Sequence, residues 1–168
     1  TGSIMESESP VSPGGPPPRS SGEADTFSGV WVVEAVENVT ALMTACGVGW
    51  AKRSAAAALN FGIGRTKETF SCSAGDGTIT IIKDRGGGTS VETQTLVIGG
   101  EPVESKDVEG KAVRVTAVWD EDVLVITNTL VKDGTVSVSI RRWLDGEKLI
   151  REDTVKGVKG RRIFRNSV

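Results

Sequence analysis

From Lys67 onward the chain tends to alternate polar and apolar residues, the period of a strand with one buried face. Thr78-Ile-Thr-Ile81, Val113-Arg-Val-Thr-Ala-Val118, Val123-Leu-Val-Ile126 and Val136-Ser-Val-Ser-Ile-Arg141 are rich in β-branched residues and predict strands. Turn signals separate them: Gly75-Asp-Gly77, Arg85-Gly-Gly-Gly88, Gly99-Gly100, Glu109-Gly110, Asp133-Gly134 and Asp145-Gly146. Asp-Gly between alternating segments is a hairpin signal, because Gly accepts the positive φ that tight hairpin turns require. Short strands at this spacing predict an all-β antiparallel meander closed into a barrel or packed as a sandwich.

One stretch has a different period. Val39, Leu42, Met43 and Cys46 recur at i, i+3, i+4 and i+7, the stripe of a short amphipathic helix. Asn38 is expected to cap its first turn, and Gly47 to end it with positive φ. Gly49 permits a reversal into Trp50–Leu59, whose alanine run favours a second helix. Before the helices, Phe27-Ser-Gly-Val-Trp31 predicts a short strand.

Residues 1–25 follow neither period and hold Pro10, Pro13, Pro16, Pro17 and Pro18 among serines, glycines and acids. Such a composition buries too little apolar surface to offset the entropy of ordering, so a disordered tail is expected over 1–25 and one folded domain over 26–168. A chain of 168 residues is long enough for a core or an enclosed cavity.

Composition mainly excludes. A formal net charge of −2 demands neither a nucleic acid nor an anionic membrane as partner. There is no histidine, which removes Ser-His and Cys-His catalysis and the commonest metal ligand, and there is no tyrosine. Cys46 and Cys72 make neither a disulfide scaffold nor a zinc site. No secretory apolar region stands out, and Gly47-Val-Gly49 and Gly62-Ile-Gly64 lack the context of a phosphate loop. A non-enzymatic protein without cofactor or metal is therefore expected, with a cytoplasmic location.

The block Phe27-Ser-Gly-Val-Trp31 … Asn38-Val-Thr-Ala-Leu-Met43 … Gly47-Val-Gly-Trp-Ala-Lys-Arg53 resembles the N-terminal signature of the intracellular fatty-acid-binding protein family, which includes retinoid binders. Asp76-Gly-Thr-Ile-Thr-Ile81, Trp143-Leu-Asp-Gly-Glu-Lys-Leu-Ile150 and Gly160-Arg-Arg-Ile-Phe-Arg165 are similar to later strands of that family. The resemblance implies a ten-stranded, flattened up-and-down barrel (a β-clam) with a two-helix lid between its first two strands. It also implies a carrier that holds one long-chain fatty acid or similar amphipathic carboxylic acid in an internal cavity.

By that resemblance Arg141 and Arg162 point inward and bind the ligand carboxylate, for which a permanently charged, forked guanidinium is suited. Period two alone separates the two. Arg141 shares a face with Ser137, Ser139 and Trp143, opposite Val136, Val138 and Ile140, and in an ordinary barrel it would be solvated; the resemblance favours it inside. Arg162 shares its face with Phe164, where the family has a tyrosine, so one hydroxyl donor is missing. Val39, Leu42, Met43, Ala55, Leu59, Ser139, Trp143 and Phe164 are expected to line the cavity or its portal. The basic cluster Lys156, Lys159, Arg161, Arg162 and Arg165 lacks an aromatic groove, so no nucleic-acid partner is expected. The expected protein is a monomer whose membrane contact is at most transient. The alternatives are a retinoid or isoprenoid-acid carrier, and a filled-barrel interaction module with a proline-rich tail.

Overall fold

The computed structural model describes residues 27–73, 75–87 and 91–167. The expected tail over 1–25 lies outside the described residues. Ten strands form one antiparallel sheet: β1 (Gly29–Glu37), β2 (Lys67–Ser73), β3 (Thr78–Asp84), β4 (Val91–Val97), β5 (Val103–Lys106), β6 (Ala112–Asp120), β7 (Val123–Leu130), β8 (Val136–Asp145), β9 (Lys148–Val155) and β10 (Val158–Asn166). Between β1 and β2 lie helices α1 (Val39–Ala45) and α2 (Trp50–Ala58), followed by a 3₁₀ turn over Asn60–Gly62.

The strand order is β4-β3-β2-β1-β10-β9-β8-β7-β6-β5. Pairing of the first strand with the last bends the meander round on itself, so that β4 and β5 become the two free edges. The gap between them is spanned by an isolated bridge from Ile98, just after β4, to Ala117 on β6, where the Gly99 amide donates to the Ala117 carbonyl at 2.7 Å. The barrel is thus nearly closed, with one seam. β1 absorbs curvature through an irregularity between Val33 and Ala35.

Alternation sorts the side chains as the strand pattern requires. Phe70, Ile79, Ile81, Leu96, Val113, Val115, Leu124, Ile126, Leu149 and Phe164 point inward and, with Phe27 and Trp31, build the main core. Phe27 stands edge-on to both Phe70 and Trp119, at ring distances of 6.1 and 5.5 Å. A second, smaller cluster of Val123, Trp143 and Ile150 lies on the opposite face of the same strands.

The helices differ from expectation in detail. Asn38 adopts φ 56° and makes no side-chain cap; its Nδ2 instead donates to the Lys159 carbonyl at 2.7 Å and ties α1 to β10. Gly47 takes φ 82° after α1, as its position requires. The first strand is longer than the Phe27–Trp31 segment suggested, since it runs on to Glu37. No helix among the described residues is long and apolar enough to cross a membrane.

Candidate functional site

Three inward-facing arginines lie side by side across three neighbouring strands. Arg142 on β8 is in direct register with Arg151 on β9, and Arg151 with Arg162 on β10. Like charges directly opposite one another destabilise a sheet, so this row needs counter-ions. Glu68 supplies one from β2, across the barrel interior. Its carboxylate accepts from Arg142 Nη2 at 3.2 and 3.4 Å and from Arg151 Nη1 at 2.6 Å. Asp153 supplies the other, accepting two hydrogen bonds from Arg151 at 2.8 Å each, with Arg162 Nη1 3.9 Å away.

Burial alone would raise the Glu68 carboxyl's pKa, but the charges of Arg142 and Arg151 outweigh it and hold the value at about 2. Asp153 is lowered in the same way, burial being outweighed chiefly by Arg151. Arg142 is wholly buried with its guanidinium 5.3 Å from the Phe70 ring centre, and its Nε and Nη1 have no hydrogen-bond partner among the described residues. Burial weakens the protonation of Arg142 and Arg162, although a guanidinium remains charged at any physiological pH.

Lys83 adds a fourth cation. It projects inward from β3, in register with Glu68 on β2 and Glu92 on β4. Glu68 is taken up by arginines and Glu92 by Arg85 at 3.0 Å, so the Lys83 ammonium forms no hydrogen bond or ion pair with a described residue. Burial, and then the guanidinium charges of Arg151 and Arg142, bring its pKa down to about 8.

A cavity of about 910 Å³ opens where the end of α1, the β5–β6 turn and the β4–β5 seam come together. Ala45 and Cys46 border it above, with Asp107, Val108 and Glu109 on the turn. Leu96, Val115, Leu130, Val138 and Ile140 give it apolar walls, and Gln94, Asn128, Lys83, Arg151 and Asp153 give it a polar part. Among the described residues no cluster of His, Cys, Asp or Glu could hold a metal ion.

The structure places the residues singled out in the sequence as follows. Arg141 is not inside: it lies on the outer face and donates to Asp120 Oδ2 at 3.0 Å. The valine face is the core face, so the next residue, Arg142, is the one that enters the barrel. Ser139 and Trp143 share the outer side, where Trp143 packs with Val123 and Ile150 under the Arg161 guanidinium. Arg162 and Phe164 face inward, but neither borders the cavity, and Phe164 is sealed in the main core. Val39 and Leu42 are buried against the barrel end, and Met43 is half-buried. Ala55 and Leu59 are exposed, as is Trp50 at 74 %, because α2 buries none of its residues. Ala45 and Cys46 are the lid residues that reach the cavity. Glu68, Lys83, Arg142, Arg151 and Asp153 were not anticipated. Their signal was present as parity, since each shares a strand face with core residues such as Phe70, Ile81, Ile140 or Leu149.

No family model matches the sequence, and no curated protein matches it. Solved structures do. The REP1-NXSQ fatty acid transporter aligns at a TM-score of 0.69 and 21 % identity, over 86 % of this chain and 98 % of its own. A Schistosoma mansoni fatty acid binding protein in complex with arachidonic acid aligns at 0.67 and 22 %, over 85 % of this chain and 97 % of its own. Human cRBP IV aligns at 0.67 and 20 %, over 84 % and 98 %. The helix-lidded, ten-stranded barrel described above is the fold that these proteins share with this chain.

Proposed function

We propose that the protein is a non-enzymatic carrier that takes one long-chain fatty acid, or a similar amphipathic carboxylic acid, into the barrel. The observation that carries this reading is the cavity of about 910 Å³ with apolar walls, which Lys83 and Arg151 border from the charged interior. In the interior network Lys83, Arg142, Arg151 and Arg162 meet Glu68 and Asp153, while Glu92 beside Lys83 is taken up by Arg85, so cations outnumber carboxylates there. An acyl chain leaving water contributes roughly 0.8 kcal/mol per buried methylene, and an acidic head would offset the excess charge. The volume falls within the range of small-molecule sites, roughly 300–1,000 Å³. The lipids named for the structural neighbours support the same class of ligand.

Delipidated protein titrated with a fluorescent fatty acid should saturate near one equivalent, with a Kd of about 1 μM or tighter, or about −8 kcal/mol. Mass spectrometry of denatured protein should release co-purified lipid. A folded, delipidated sample with no saturable binding would refute the carrier reading and favour a filled-barrel interaction module.

A further inference from the structure

The buried arginines already have their anions. Glu68 engages both Arg142 and Arg151, and Asp153 engages Arg151 through a two-pronged contact with Arg162 nearby. Arg142, Arg162 and Glu68 do not border the cavity; Lys83 and Arg151 do, and Arg151 is already held by Glu68 and Asp153. Lys83 is also the one cation of this group without a hydrogen bond or ion pair among the described residues. A largely buried ammonium beside guanidiniums is disfavoured until an anion reaches it.

We propose that Lys83, rather than the arginine row, receives the acidic head of the carried lipid, and that Glu68 serves as the resident counter-ion of that row. The assignment rests on the carrier reading and specifies its site. Glu68 stands where an incoming carboxylate would otherwise meet Arg142 and Arg151. A second carboxylate placed there would be repelled by the first, because like charges a few ångströms apart disfavour joint ionisation. At Lys83 the incoming carboxylate meets an ammonium that has no ion pair among the described residues, its neighbour Glu92 being neutralised by Arg85 at 3.0 Å. The charged groups around Lys83 are Glu68 on β2, Glu92 on β4, Arg142 on β8 and Arg151 on β9. With a pKa of about 8, its ammonium is mostly protonated at pH 7 and loses its proton as pH rises through 8. Binding of a carboxylate should therefore weaken above pH 8, by up to tenfold per unit, until the complex itself deprotonates.

The test compares hexadecanoic acid with hexadecanol, each displacing an uncharged fluorescent probe from delipidated full-length protein. Lys83→Met should weaken the acid tenfold or more and leave the alcohol within twofold. Lys83→Arg should restore most of the acid affinity and remove its decline above pH 8. The double variant Glu68→Gln with Arg142→Gln, which removes a charge of each sign, should keep the wild-type ratio of acid to alcohol. An unchanged ratio in Lys83→Met would overturn the assignment and leave the carrier reading standing. So would a tenfold fall of the ratio in the double variant, which would return the head group to the arginines. Wild-type protein that binds neither ligand would overturn both.

Discussion

Glu68→Leu is expected to destabilise the fold by about 3–5 kcal/mol. The substitution leaves Arg142 wholly buried without its only hydrogen-bonded anion among the described residues, and removes one of the two described anions of Arg151. For a domain of this size that is a fall of roughly 6–20 °C in Tm. Glu68→Leu combined with Arg142→Leu should recover much of the loss, because replacing both members of a buried pair is far less costly than orphaning one. Chemical denaturation of the single and double variants measures the difference. Equal stability of wild type and Glu68→Leu would show that the cross-barrel tie contributes nothing.

The same pair gives a pH signature. Glu68 sits at about 2 in the folded protein against an ordinary value of 4.5. Its pKa is depressed on folding, so its contribution is complete above about pH 4.5 and is lost as pH falls towards 2. That difference corresponds to about 3 kcal/mol. Asp153 is shifted in the same direction and adds to the acid lability. Glu68→Leu should show a shallower loss of stability between pH 5 and pH 2 than wild type.

The barrel and its lid were legible because their signals are local. Alternation in Val113–Val118 and the glycine pairs at the hairpins predict strands and turns that formed where expected. The stripe Val39, Leu42, Met43 and Cys46 likewise predicts α1. The charged interior was harder to read. Arg151 and Asp153 lie in a run, Arg151-Glu152-Asp153, that looks solvated, and only the alternation with Leu149 and Val155 betrays its inner face. Glu68, the cross-barrel partner of Arg151, is 83 residues away from it, beyond the reach of any local pattern. Arg141 shows the reverse. Its period placed it outside, the family resemblance moved it in, and the backbone obeyed the period: Val138 and Ile140 pack on the core and carry Arg142 with them. The carboxylate Glu68, which answers the inner arginine, also explains why an arginine on an apolar face is tolerated.

Gly160→Val is expected to loosen the lid. Gly160 is the point on β10 where α1 rests: a Cβ added there would lie 3.0 Å from both Cβ and Cδ2 of Leu42 and 3.1 Å from the Asn38 carbonyl oxygen. The Asn38 oxygen is backbone and cannot swing aside. The Asn38 side chain bonds the adjacent Lys159 carbonyl, so the helix start is anchored at the same place. A valine must push α1 away from the barrel, at about 1–3 kcal/mol for overpacking a close contact. Because Ala45 and Cys46 at the end of α1 border the cavity, the displacement should widen its mouth. If α1 gates exchange and the strain is relieved on opening, fatty-acid dissociation should accelerate roughly 5- to 150-fold, with stability falling by the same 1–3 kcal/mol. Stopped-flow transfer of a fluorescent fatty acid to an acceptor measures the rate. Lower stability with an unchanged dissociation rate would mean that the ligand leaves elsewhere, and the β4–β5 seam, which has no ladder across it, would then be the exit.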